Sequence, residues 1–426
     1  MKEPIQALCA FLNSSHSLYH VAANIAGWLD ADGYIRLKEN TPWELAPGGK
    51  YYLYRGGSSI IAFRVPQNAP TGFMMSASHL DHPSFKLKEN GELKGTYTRL
   101  ATEKYGGMLI APWLDRPLSI AGRVMVETES GVQSKLVDID RDIALIPNIA
   151  IHMNRSVNEG YSWNVAVDTL ALLGSGAAAG KLEALLEKAA GGTVLGRDLY
   201  LYVRQQASVW GLDEEFISAP ALDDLCCVWA CAQGFLKARE SAAIPVLCVF
   251  DSEEVGSSSA QGANSTLLSS TLAKICRSLE LPHEQMLSNS LMISADMVHA
   301  IHPNHPELAD AANAPVMNGG VVIKFNAAQN YTTDGLSAAL FRTICQRAQV
   351  PVQTYYNRAD IKGGATLGYL SLHHVSVPSV DIGLAQLAMH SCYETAGVQD
   401  PIHLERAMTE AYSTAIVNDG ETYALI

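Results

Sequence analysis

The chain reads as an α/β protein: a mostly parallel sheet with flanking helices, interrupted by a β-rich insertion. Three observations predict this. Short β-branched runs, such as Ile244-Pro245-Val246-Leu247-Cys248-Val249-Phe250, alternate with helical stretches after about residue 213, the pattern of a parallel sheet. From about 91 to 212 the runs are short and closely spaced, as in Ser119-Ile120-Ala121-Gly122-Arg123-Val124-Met125-Val126, which suggests antiparallel strands. At 426 residues the chain is too long for one typical domain and comfortable for two. The expected division is one α/β domain over residues 1–90 and 213–426, with residues 91–212 inserted into it.

Taken in order, residues 5–29 form an amphipathic helix or helix pair, broken near Asn13-Ser14-Ser15. Tyr51-Tyr52-Leu53-Tyr54 and Ser59-Ile60-Ile61-Ala62-Phe63 read as strands joined by a turn at Gly56-Gly57, and a further strand ends at His79. The insertion carries one helix, over residues 181–190. Another helix follows over 224–239, and apolar strands end near residues 250, 295, 325 and 383.

The charged residues gather at the ends of these runs. Asp251-Ser252-Glu253-Glu254 follows the 244–250 strand, where open α/β sheets place their ligand sites. Two adjacent carboxylates repel; the cost is tolerable if one binds a cation and the other handles a proton. The alternative is a solvated acidic turn. Three more strand ends make that harder to sustain: His79-Leu80-Asp81, Asp296-Met297-Val298-His299, and the Asp381 strand leading to His390. Imidazoles and carboxylates are the ligands expected of a catalytic zinc site. Asp223 stands at the head of the 224–239 helix, as a ligand or as a plain N-cap.

Composition excludes other classes. Hydrophobic residues make up 48% of the chain and charged ones 17%, a globular balance. The net charge of −13 argues against nucleic-acid binding. No apolar run approaches the roughly 18 residues that span a bilayer, and the N-terminus lacks a signal-peptide pattern. The eight cysteines form no C-x-x-C pair and read as buried thiols. A cytoplasmic protein is expected. No G-x-G-x-x-G stands between a strand and a helix, which argues against a dehydrogenase.

Several segments together resemble the aspartyl aminopeptidase family of zinc metallopeptidases. They are Gly48-Gly49-Lys50-Tyr51-Tyr52, His79-x-Asp81, Trp113-Leu114-Asp115-Arg116, Ile146-Pro147-Asn148-Ile149-Ala150-Ile151-His152, Ala219-Pro220-Ala221-Leu222-Asp223, Glu253-Glu254-Val255-Gly256-Ser257, Ser294-Ala295-Asp296-Met297 and Gln386-Leu387-Ala388-Met389-His390-Ser391. The resemblance covers nearly the whole chain. It implies a zinc exopeptidase-like, phosphorylase/hydrolase-like domain with two zinc ions per subunit, held by His79, Asp223, Glu254, Asp296 and His390. Asp223 would bridge the ions, although the adjacent Asp224 offers a second carboxylate. The resemblance makes Glu253 the general base, and Asp81 would orient His79. Lys324 and His299 would face the substrate side chain, favouring Asp or Glu; the alternatives are an outward lysine and a satisfied histidine. The insertion would be a dimerisation domain, with dimers assembling into a tetrahedral dodecamer. By analogy, His152 would reach into the partner's active site; the alternative is a surface histidine.

The chain departs from the family pattern at Leu80, His82 and Arg358-Ala359-Asp360-Ile361-Lys362. These changes bear on the pocket rim and on selectivity. The expected activity is hydrolysis of the N-terminal residue of peptides. Broad or neutral specificity, or a non-catalytic binding protein of the same fold, are the competing readings.

Overall fold

The computed structural model describes residues 2–361, 363–364 and 366–426. Its centre is a nine-stranded sheet. Four adjacent strands in its middle, Ala243–Phe250, Gly72–His79, Leu291–Ala295 and Ser379–Gly383, run parallel. Antiparallel pairings flank them on both sides, so the sheet is mixed at its margins.

The sequence explains why these strands are central. All eight residues of Gly72–His79 and of Ala243–Phe250 are buried. Neighbouring side chains leave a strand on opposite faces. Met74, Leu247 and Val249 therefore pack into one core, and Met75, Cys248 and Phe250 into another. The first core includes residues of Leu18–Ala31, Leu222–Lys237 and Asp400–Tyr412. Leu267–Ser278 covers the second. A sheet covered on both faces needs continuous apolar strands, as observed.

The β-rich segment forms a separate six-stranded sheet, antiparallel throughout, with its own core. Its strands run from Ser84–Leu93 to Val194–Val203. It therefore begins ahead of residue 91, because Phe85 and Leu87 point inward before the polar run Lys88-Glu89-Asn90. The helix Lys181–Ala190 lies where expected.

A five-stranded sheet joins Val298–His299, Ala385–Leu387, Glu394–Gly397, Phe216–Ala219 and Ser208–Trp210. The 291–299 run thus divides between two sheets. The 375–383 run is strand only from Ser379, preceded by the helix Leu367–Ser371. All eight cysteines are free thiols, and seven are buried. Among the described residues no helix is long and apolar enough to cross a membrane.

Candidate metal centre

Register brings the site together. Phe250 pairs with His79 at the carboxyl ends of parallel strands, so the turn carrying Glu253 and Glu254 starts beside His79. Leu291–Ala295 lies on the other side of the His79 strand and delivers Asp296. Asp223 and His390 arrive from loops of the five-stranded sheet.

Asp223 is the hinge of the arrangement. Its Oδ1 lies 3.5 Å from His79 Nε2, which is 3.6 Å from Asp296 Oδ1. Its Oδ2 lies 3.6 Å from His390 Nε2, which is 3.5 Å from Glu254 Oε1. One carboxylate therefore faces two separate donor sets, His79–Asp223–Asp296 and Asp223–Glu254–His390, each compact enough to enclose an ion. His79, Glu253 and Glu254 form a third, overlapping group.

Asp224 is placed differently. Its Oδ2 accepts the backbone N–H of His79 at 3.2 Å, and it belongs to none of the three groups. A cis peptide joins it to Asp223, and neither residue is helical although the helix Leu222–Lys237 contains both. The N-cap position of that helix is Ala221, not Asp223.

Asp81 organises the His79 side. His79 Nδ1 lies 3.0 Å from the Asp81 carbonyl oxygen, which can only accept, so Nδ1 carries the proton and Nε2 is left as the donor atom. The Asp81 carboxylate accepts the N–H groups of Glu253 and Glu254, at 3.0 and 3.1 Å, and the Tyr105 hydroxyl at 2.8 Å. Tyr105 carried no signal in the sequence beyond an aromatic at a strand end.

Electrostatics fit a cation site. Asp81, Asp223, Asp224 and Glu394 are buried, as are most of the side chains of Glu254 and Asp296. Lys324 is the buried cation beside them, 3.4 Å from Asp296 Oδ2. Burial pushes the Glu253 carboxyl up to about 8 and Glu254 well above the usual range. Burial alone would lower His79, but Asp223 and Asp296 outweigh it and raise the affinity of Nε2 for positive charge. Asp223 Oδ1 and Glu254 Oε1 are buried without a hydrogen-bond partner. Buried anionic oxygens of this kind are stable when they coordinate metal. Mixed imidazole and carboxylate donors suit zinc, so the residues present fit that ion.

A cavity of about 140 Å³ opens over the cluster, lined also by His299, Lys324, Tyr331 and Thr366. Lys324 points inward from Val321–Phe325, donating to the Met297 carbonyl at 3.0 Å. Burial opposes its charge, but neighbouring Asp296 holds the ammonium above its ordinary range. His299 is exposed towards the cavity. A larger cavity, about 560 Å³, lies elsewhere, between Ile5, Val209, Val398 and Ile402; Asp213, Glu214 and Glu215 also line it, but no histidine and none of the residues of the cluster do.

Two expected residues lie apart from the cluster. His152 sits in an exposed turn. His82 is half-buried behind Asp223, outside every donor group. Arg358 pairs with Asp360 on the surface, Nε to Oδ1 at 2.8 Å; Lys362 lies outside the described residues.

Comparison with known proteins gives a consistent result. The family profile described as Aminopeptidase I zinc metalloprotease (M18) matches residues 11–412. A probable M18 family aminopeptidase 2 from Clostridium acetobutylicum is 40% identical, over 95% of this chain and 98% of its own length. Another from Pseudomonas paraeruginosa is 39% identical, over 96% and 98%. Among solved structures, the Ape4 and Nbr1 complex contains a chain that superposes with a TM-score of 0.92 at 33% identity, over 97% of this chain and 86% of that one. The mApe1 dodecamer of S. cerevesiae gives 0.85 at 26%, over 96% of both.

Proposed function

The chain belongs to the M18 family of aminopeptidase I zinc metalloproteases, and from that premise we propose that it removes N-terminal Asp or Glu from peptides at a two-zinc centre. The family membership makes it a peptidase and sets the non-catalytic reading aside. The observation that carries the two-ion reading is the Asp223 carboxylate, whose oxygens face separate donor sets. His79 and Asp296 would hold one ion, Glu254 and His390 the other, and Asp223 both.

When bound, the zinc pair supplies a nucleophilic water and a polarised scissile carbonyl. The remaining work falls to the chain itself. Glu253 takes the proton of the attacking water and returns it to the leaving amine. Its carboxylate is aimed by the backbone, because Asp81 fixes the N–H groups of both glutamates. Asp81 also fixes the His79 tautomer, through its carbonyl. Lys324 and His299 line the cavity where the first side chain would lie; the Lys324 ammonium, with the His299 ring as a hydrogen-bonding neighbour that burial keeps towards its neutral form, favours an acidic one.

One observation favours a second reading, broad or neutral specificity. Lys324 is already paired with Asp296, so part of its charge is committed before substrate arrives. The six-stranded unit would be the dimerisation domain, residues 91–212 in the first division of the chain. Dimers would build a dodecamer of the kind solved for mApe1, with His152 entering a partner's site. Eight free thiols suit a cytoplasmic location.

The test is hydrolysis of a panel of N-terminal residues by wild type and Glu253→Gln, with zinc measured on both. Turnover should fall by about 100- to 10,000-fold while the variant keeps two zinc ions. Full activity in Glu253→Gln would remove it as the base. Preference for acidic residues selects the first reading and a flat profile the second.

A further inference from the structure

Asp81 and Glu394 divide the support of the site between them. Asp81 holds the His79 strand end and the Glu253-Glu254 turn. Glu394, which no sequence motif marks, holds the backbone of Asp223 and His390. It is 1% exposed and opens the strand Glu394–Gly397, opposite Ala219 of Phe216–Ala219. The loops bearing Asp223 and His390 both leave the sheet beside it. Glu394 Oε2 accepts the Asp223 N–H at 2.9 Å, and Oε1 accepts the His390 N–H at 2.6 Å.

These loops need holding. Ala221, Ala388 and His390 all have left-handed backbone, with φ of 55°, 57° and 65°. Such conformations at residues other than glycine persist only where the surroundings impose them. Two converging N–H groups call for two acceptors. A carboxylate supplies two and no donor, whereas an amide would turn its NH₂ towards one of them. The carboxylate is also buried next to that of Asp223, a repulsive placement that cations in the site would offset.

We propose that Glu394 is a positioning residue for the Asp223–His390 half of the centre, so that its loss weakens the ion held by His390 and Glu254 more than the ion held by His79 and Asp296. This rests on the two-ion reading. Asp223 serves both ions, but His390 serves one, which makes the effect unequal.

The experiment is zinc content and zinc release to a competing chromophoric chelator, on full-length wild type, Glu394→Ala, Glu394→Gln and His390→Ala. Wild type should release two ions in separable phases, and His390→Ala identifies which phase belongs to its ion. Glu394→Ala should weaken that same phase by about 10- to 100-fold and leave the other in place. Glu394→Gln, which keeps one acceptor, should fall between. Lost activity should return with added zinc. Equal weakening of both phases, or no change in either, overturns the proposal. A wild type holding a single ion instead sinks the two-ion reading, and this proposal with it. If Glu394→Ala fails to fold by circular dichroism, Glu394→Gln carries the same comparison.

Discussion

His82 shows how one residue can be placed by the fold against its own charge. It follows Asp81, yet it belongs to none of the donor groups and sits half-buried beside Pro220 and Ala221. Burial pulls its imidazole down to about 4, against about 6.5 in an unfolded chain. Its Nδ1 has no hydrogen-bond partner. The sign follows from linkage: between these values the unfolded chain binds the proton and the folded one does not, so stability falls as pH falls. The loss begins near pH 6.5 and is complete below about 4. Between pH 7 and 5 it amounts to about 2 kcal/mol. Buried acids such as Asp251, pushed up to about 6, act in the opposite sense, so only a difference between proteins isolates His82. Urea unfolding of metal-free wild type and His82→Gln should therefore show the variant gaining about 2 kcal/mol relative to wild type on going from pH 7 to 5. Parallel pH profiles would remove His82 as the cause.

Among elements, the connection after the strand Tyr97–Tyr105 ties the inserted sheet to the centre. Tyr105 donates to Asp81, and the N–H of Leu109 donates to the His390 carbonyl at 3.0 Å. Gly106 lies between them with φ of +73°, and a Cβ there would stand 3.1 Å from Glu254 Cβ. Gly106→Ala would impose a left-handed alanine and push on a proposed ligand at once. Expected is at least a tenfold loss of turnover with weaker zinc retention and an unchanged circular dichroism spectrum; wild-type kinetics would show that the connection has slack. None of this is legible in the sequence, where Tyr105-Gly106-Gly107-Met108-Leu109 carries no charged side chain and no motif. What was legible has a common cause. Fully buried strands must be continuously apolar, so the 244–250 and 321–325 runs announced themselves, and each polar residue at an end stood out. His79, Glu253, Glu254 and Asp296 were visible for that reason. Asp223 and Asp224 could not be told apart, because nothing in two adjacent aspartates reveals which way each carboxylate points. Glu394 was invisible because its partners are backbone N–H groups, which every sequence contains.

At the scale of the molecule, one chain assembles all five proposed metal ligands and Glu253, but leaves His152 outside. That histidine lies in an exposed turn of the inserted unit, flanked by exposed Ile149, Ile151 and Met153. Apolar side chains clustered at such a turn suit an interface between copies. If His152 completes a neighbour's oxyanion site, the active unit is the dimer, and each site draws on two chains. Complementation separates this from a role within one chain. His152→Ala and Glu253→Gln homo-oligomers should each be nearly inactive. When the two are dissociated and reassembled together, a mixed dimer contains one site with an intact Glu253 from the first chain and an intact His152 from the second. With random pairing across a two-fold interface, about half of the dimers are mixed and about a quarter of all sites are intact. Activity should recover to that level, and only after subunit exchange. Were His152 to act within its own chain, every site in the mixture would lack one group and exchange would restore nothing. A His152→Ala protein with full activity would place the residue at the interface for packing alone.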